Sequence, residues 1–180
     1  MNDYLVILVG DIAVGKSCFL FRYYDKNFVE THLHTVGFDS RLKDMTLQNG
    51  KKIKLHIMDI AGHERFRPSD IKNYYKRANG FIVIYDVTNL QTYENVKMWI
   101  SQIREEANPN VVIYLVGNKS DAPEKERIVK TEDGQKIADE FNLTFFETSA
   151  KDGKNVNETF ECLAEKIDEV YSKLEPPKKE

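Results

Sequence analysis

The stretch Leu5-Val6-Ile7-Leu8-Val9 leads directly into Gly10-Asp11-Ile12-Ala13-Val14-Gly15-Lys16-Ser17. An apolar strand followed at once by G-x-x-x-x-G-K-[ST] is the signature of a loop whose backbone N–H groups ring a phosphate at a helix N-terminus. Such a loop binds a polyanion without a net positive protein, which suits a chain of formal net charge −3 and pI near 5.9. Lys16 is placed to reach β- and γ-phosphates, and the Ser17 hydroxyl to bind Mg²⁺. Asp11, Ile12, Ala13, Val14, Gly15 and Cys18 belong to the same candidate binding loop.

Outward from this loop, short apolar runs recur at 53–58, 81–85 and 111–116, with a shorter one at 144–146. Val- and Ile-rich runs without alternation suit strands buried on both faces of a parallel sheet. Segment 42–47 alternates more and is followed by Asn49-Gly50, which predicts a hairpin into Ile53. Helical patterns lie between the strands. Val96, Trp99, Ile100, Ile103 and Ala107 make one apolar stripe before Asn108-Pro109. Val156, Phe160, Leu163, Ala164, Ile167, Val170 and Tyr171 make another, with Asn155 and Glu158 expected to cap it. Alternating strands and helices imply a three-layer α/β domain over residues 1–171, with its ligand site at the carboxyl ends of the strands. Residues 172–180 lack periodicity and are expected to form a flexible tail.

Composition narrows the function. A chain of 180 residues, 41% hydrophobic and 31% charged, makes one globular domain rather than a disordered segment. Its acidic balance argues against a nucleic-acid partner, which would need a surplus of Lys and Arg. Cys18 and Cys162 alone cannot build a disulfide framework or a Cys-based zinc site, so a cytoplasmic location is expected. No apolar run approaches the roughly 18 residues of a membrane span, and the N-terminal residues lack the basic flank of a signal peptide.

Further loops carry chemistry at strand ends. Asp59-Ile60-Ala61-Gly62 places a carboxylate beside the phosphate loop, suited to a magnesium-bound water, and a glycine whose N–H can approach a γ-phosphate. Gly117-Asn118-Lys119-Ser120-Asp121 and Glu147-Thr148-Ser149-Ala150-Lys151 follow the runs at 111–116 and 144–146. A fixed Asp121 carboxylate accepts from guanine N1–H and the exocyclic amine, whereas adenine would leave the charge unpaired. Discrimination on that basis reaches about 10⁴-fold. Asn118 would reach the purine and brace the phosphate loop, Lys119 would lay its stem along the ring, and the Ala150 N–H would donate to guanine O6.

With these motifs in this order, the chain resembles the Ras superfamily of small GTPases and is most similar to its Rab branch, from Tyr4 to about Tyr171. The Rab-like wording is Val36-Gly37-Phe38-Asp39, Glu64-Arg65-Phe66, Tyr74-Tyr75-Lys76-Arg77-Ala78, Val83-Ile84-Tyr85-Asp86-Val87-Thr88 and Asn95-Val96-Lys97-Met98-Trp99-Ile100. The resemblance implies a P-loop NTPase fold with a six-stranded, mostly parallel sheet, one antiparallel edge hairpin strand and helices on both faces. It implies a monomeric switch in vesicle traffic that binds GTP or GDP with Mg²⁺, the metal held by Ser17, Thr35 and Asp59. It implies Phe28 against the guanine, Ser149 and Lys151 in the base loop, and Lys16, Gly62 and residue 63 at the reaction centre. Exchange factors, GTPase-activating proteins and effectors would engage switch I, about 28–40, and switch II, about 59–75. Membrane attachment would need a prenylated C-terminus beyond residue 180.

Departures from the family pattern bear on turnover. His63 stands where the family carries a water-positioning Gln, and an imidazole offers one donor and one acceptor at different angles from an amide. Ile12 stands where Gly or Ser is usual and is expected to crowd an incoming arginine. The Rab aromatic patch maps to Ser40, Met58 and Tyr74, two of which are not aromatic. Slow hydrolysis follows, and the competing reading is a scaffold that stays loaded with GTP. An ATPase or phosphotransferase on the same loop is disfavoured by Asn118 to Asp121.

Overall fold

The computed structural model describes residues 1–25, 38–60 and 68–175. In chain order the elements are β1 (Asn2–Val9), α1 (Lys16–Asp25), β2 (Phe38–Thr46), β3 (Lys52–Ile60), α2 (Pro68–Arg77) and β4 (Gly80–Asp86). They continue with α3 (Leu90–Glu94), α4 (Val96–Glu106), β5 (Val112–Asn118), α5 (Thr131–Phe141), β6 (Thr144–Glu147) and α6 (Val156–Ser172).

Strand β1 explains the layering. Its odd positions Leu5, Ile7 and Val9 enter a core with α2, α4 and α5, through Ile71, Tyr75, Val96, Trp99, Ile100, Ile103 and Ile137. Its even positions Tyr4, Val6 and Leu8 enter a second core with α1 and α6, through Phe19, Leu20, Tyr23, Phe160, Leu163 and Ile167. Successive side chains of a strand point to opposite faces, so a strand covered on both sides must read as a continuous apolar run. The sheet order is β2-β3-β1-β4-β5-β6. Strands β1, β3, β4, β5 and β6 are parallel, whereas β2 pairs antiparallel with β3 as the edge strand. The turn between β2 and β3 closes with Leu47 N donating to Lys51 O at 2.9 Å, as Asn49-Gly50 leads one to expect.

Because β1 lies between β3 and β4, the chain leaves it where connections part to opposite sides, the place where open α/β sheets bind ligands. Gly10 makes that exit possible. Its φ is +146°, and a Cβ there would sit 2.2 Å from the Ile84 carbonyl oxygen of β4.

One expectation is corrected. Asn155 precedes α6 but does not cap it: its φ is 58°, in the left-handed region, and its side chain makes no capping bond. The Nδ2 group donates instead to Glu147 O at 2.9 Å, tying the start of α6 to the end of β6. Helix α6 then reaches Ser172, and the N–H groups of Leu174 and Glu175 turn back onto Tyr171 O.

Candidate functional site

The carboxyl ends of β1, β3, β5 and β6 bring four segments together. The first is the phosphate loop, which enters α1 at Lys16. Lys16 is only 9% exposed and donates from Nζ to Gly10 O at 2.9 Å and Asp11 O at 2.8 Å. Burial lowers its pKa, against the opposing pull of Asp59 and Asp11. A buried ammonium inside a ring of backbone groups is poised for an anion. Val14 is fully buried and anchors the loop in the core, while Ile12 projects outward at 66% exposure. Cys18 sits half-buried in the first turn of α1, and burial raises its thiol pKa.

The second segment is the end of β3 itself. Asp59 is buried, and Ser17 donates from Oγ to Asp59 Oδ2 at 2.5 Å. A hydroxyl and a carboxylate oxygen side by side form the hard-oxygen pair that Mg²⁺ favours.

The third and fourth loops follow β5 and β6, and Asn118 is their hub. Its Nδ2 donates to Val14 O at 2.9 Å, while its Oδ1 accepts from Thr148 Oγ1 at 3.1 Å and from Ala150 N at 3.2 Å. Gly15 leaves room for this side chain: a Cβ at its φ of +98° would lie 2.5 Å from Asn118 Nδ2. Lys119 bridges in the same direction, donating to Ala13 O at 2.9 Å and pairing with Asp86 at 2.7 Å. Asp121 is exposed at the rim and accepts from Ser149 Oγ at 2.8 Å, while that hydroxyl also accepts from Asp152 N at 2.9 Å. Lys151 is exposed beside them.

Asp11 to Cys18, Asp59, Asn118, Lys119, Asp121 and Ser149 to Lys151 therefore lie on this one end of the sheet, as the sequence leads one to expect. Phe28, Thr35, Gly62 and His63 lie outside the described residues. Of the Rab aromatic-patch positions, Ser40 and Met58 face each other in the β2–β3 register, Met58 is buried, and Tyr74 packs half-buried against the core.

The structure adds residues that the sequence motifs pass over. Arg22 of α1 donates from Nε to Ala150 O at 2.7 Å and from Nη2 to Lys151 O, clamping the fourth loop onto the helix that carries the first. Asp86 stands opposite Asn118 in the β4–β5 register and holds Lys119. An acid at the end of one apolar run and a Lys just past the end of another is the sequence signal for that pair. Among the described residues no helix is long and apolar enough to cross a membrane.

A sequence profile described as the Ras family matches residues 5–169. The chain is 44% identical over 167 residues to "Ras-related protein RABD1" of Arabidopsis thaliana, spanning 92% of this chain and 80% of that protein. It is 46% identical over 167 residues to "Ras-related protein RIC1" of Oryza sativa subsp. japonica, spanning 92% and 81%. It is 42% identical over 180 residues to "Ras-related protein RABE1d" of Arabidopsis thaliana, spanning 97% and 82%.

Proposed function

The chain belongs to the Ras family as a Rab-like small GTPase, and on that premise we propose that it is a guanine-nucleotide switch in vesicle traffic, binding GTP and GDP with Mg²⁺ and hydrolysing GTP slowly. The observation that carries the reading is the Asn118 side chain, which joins the phosphate loop to both base loops through Val14, Thr148 and Ala150. A phosphate site alone fits any nucleotide. A phosphate site joined through Asn118 to loops that hold a rim carboxylate at Asp121 selects a purine with an N1–H donor, that is, guanine.

In this reading the main chain of Asp11 to Gly15 and Lys16 takes the phosphates, Cys18 closes the loop, and Phe28 packs against the base. Asp121 selects guanine, Ser149 steadies Asp121, and the Ala150 N–H exchanges Asn118 Oδ1 for the guanine O6, with Lys119 and Lys151 flanking the ring. Ser17, Thr35 and Asp59 would hold Mg²⁺ through oxygen, and the chemistry it would supply there is neutralisation of phosphate charge. Gly62 N–H approaches the γ-phosphate, and His63 orients the attacking water. The oxygen of that water bonds to the γ-phosphorus of GTP as the bond from that phosphorus to the β–γ bridging oxygen breaks, leaving GDP and inorganic phosphate. Residues 28–40 and 59–75 respond to the γ-phosphate and present themselves to exchange factor, activating protein and effector.

Identifying the nucleotide released on denaturing the purified protein tests the reading. GDP or GTP is expected, and stoichiometric ATP would overturn it. The exposure of Ile12 at the mouth of the phosphate loop favours a second reading, a GTP-loaded scaffold, because a branched side chain there obstructs an incoming arginine. Single-turnover hydrolysis separates the two. A switch turns over GTP as wild type, whereas a scaffold stays loaded as wild type and gains turnover, by about tenfold, only after His63→Gln or Ile12→Gly.

A further inference from the structure

We propose that Asp11 is a positioning residue that latches the phosphate loop onto α4 and thereby sets the lifetime of the bound nucleotide. The observation is a three-residue junction between segments far apart in sequence. Trp99 donates from Nε1 to Asp11 Oδ1 at 2.9 Å, and Asn95 donates from Nδ2 to Asp11 Oδ2 at 2.6 Å. Both carboxylate oxygens are thus held by neutral donors from one helix.

The geometry is specific at each corner. Asn95 occupies the N-cap position of α4, yet its φ of −76° and ψ of −9° are helical and its side chain makes no capping bond. The amide is directed to the phosphate loop instead, and its Oδ1 accepts from Gln91 Nε2 at 3.1 Å, which fixes its orientation. Trp99 lies one turn further along the helix and is buried, so its indole is held in place by the core behind it. The positive end of the α4 dipole faces the same carboxylate.

Asp11 is an acid placed next to a site for a polyanion, which by itself would repel the ligand. Two donors and a helix N-terminus draw its negative charge away from the loop's interior. The main-chain oxygen of the same residue accepts from Lys16 Nζ at 2.8 Å. Holding the side chain therefore also fixes the carbonyl that orients the phosphate-seeking lysine. If the latch opens, the carboxylate swings free beside the phosphates and the loop's N–H ring loses its outer support.

This inference rests on the guanine-nucleotide reading and deepens it. The test is the dissociation rate of a fluorescent GDP analogue from the whole chain, with Mg²⁺ in excess, for wild type, Trp99→Phe, Asp11→Ala and the double variant. Trp99→Phe keeps an aromatic ring in the core and removes the donor together with part of the ring volume, for which Asn95→Ala is the control. Each single variant should release the nucleotide about tenfold faster, the scale of one lost charge-assisted hydrogen bond. The double variant should be no faster than Asp11→Ala alone, because both changes open the same latch. A general loss of packing would instead make the two effects multiply. Asn95→Ala, which leaves the core untouched, should reproduce the acceleration. Single-variant rates within twofold of wild type, or rates that multiply in the double variant, would overturn the latch while leaving guanine binding intact. Failure of wild type to retain the GDP analogue would overturn the functional reading itself.

Discussion

Lys119 and Ala13 face each other across the site in the same strained backbone conformation. Both are non-glycine residues in the left-handed region, with φ of 64° and 66°, and Lys119 Nζ donates to Ala13 O at 2.9 Å. Left-handed backbone costs an ordinary residue about 1–2 kcal/mol, so each is held there by its surroundings. The bond runs between the two strained points, and the Lys119 ammonium is held at its other side by Asp86 at 2.7 Å.

Replacing Lys119 with Met keeps the stem and removes both contacts. Asp86 is buried, and after the change it retains donors from Thr88 N and Thr88 Oγ1 but no cation. Equilibrium unfolding in urea should show a loss of about 1–3 kcal/mol, and GDP release should accelerate. A midpoint equal to that of wild type would show that the pair contributes nothing.

Asp121→Asn should exchange guanine preference for xanthine. The carboxylate is exposed at the rim and positioned by Ser149, and an amide in its place can donate to the extra carbonyl oxygen of xanthine. Competition between GDP and xanthosine diphosphate measures it. Unchanged guanine preference would remove Asp121 from base selection.

Tyr85→Phe is expected to raise stability. The Tyr85 hydroxyl is buried with no hydrogen-bond partner among the described residues. It occupies space left by two glycines: a Cβ at Gly117 would lie 2.7 Å from it and one at Gly134 2.3 Å. Removing a buried hydroxyl that has no partner relieves its desolvation cost, for a gain of about 1 kcal/mol and a thermal midpoint about 2–4 °C higher. A fall in the midpoint would contradict this.

Acid should weaken the join between β1, α6 and the β2–β3 turn. Asp168 accepts from Tyr4 Oη at 2.7 Å and from Lys51 Nζ at 2.6 Å. Burial opposes its ionisation, but the hydrogen bonds from Lys51 and Tyr4 prevail and hold the carboxyl below the usual carboxylate range. A depressed pKa in the folded state contributes stability above the unfolded value, and that contribution disappears as pH falls through the folded one. The stability difference between wild type and Asp168→Asn should therefore be full near neutrality and shrink below about pH 4. A difference independent of pH between 7 and about 3 would assign Asp168 a packing role only.

The elements readable from sequence were those whose residues satisfy their own constraints locally. β1, β4 and β5 announce themselves because burial on both faces forces an unbroken apolar run through most of each strand. The loop from Gly10 to Ser17 is legible because phosphate chemistry fixes residue types at fixed spacing. Asn155 misled because a capping residue and a left-handed turn residue are the same residue type, and only the distant Glu147 carbonyl decides between them. The bonds of Asp11 to Asn95 and Trp99 span 84 and 88 residues, and no local pattern marks either donor as a partner of the loop.

The contacts that join the loops of the site share one trait: many end on main-chain oxygens, those of Gly10, Asp11, Ala13, Val14, Ala150 and Lys151. Every residue type carries that oxygen. Over evolutionary time the receiving positions 13, 14, 150 and 151 can therefore drift in side chain without breaking the assembly, within the limits of their space. The donors Lys16, Arg22, Asn118 and Lys119 cannot. Lineages descended from this chain should diverge first on the accepting side, and a lost donor should mark a lineage that has abandoned the nucleotide.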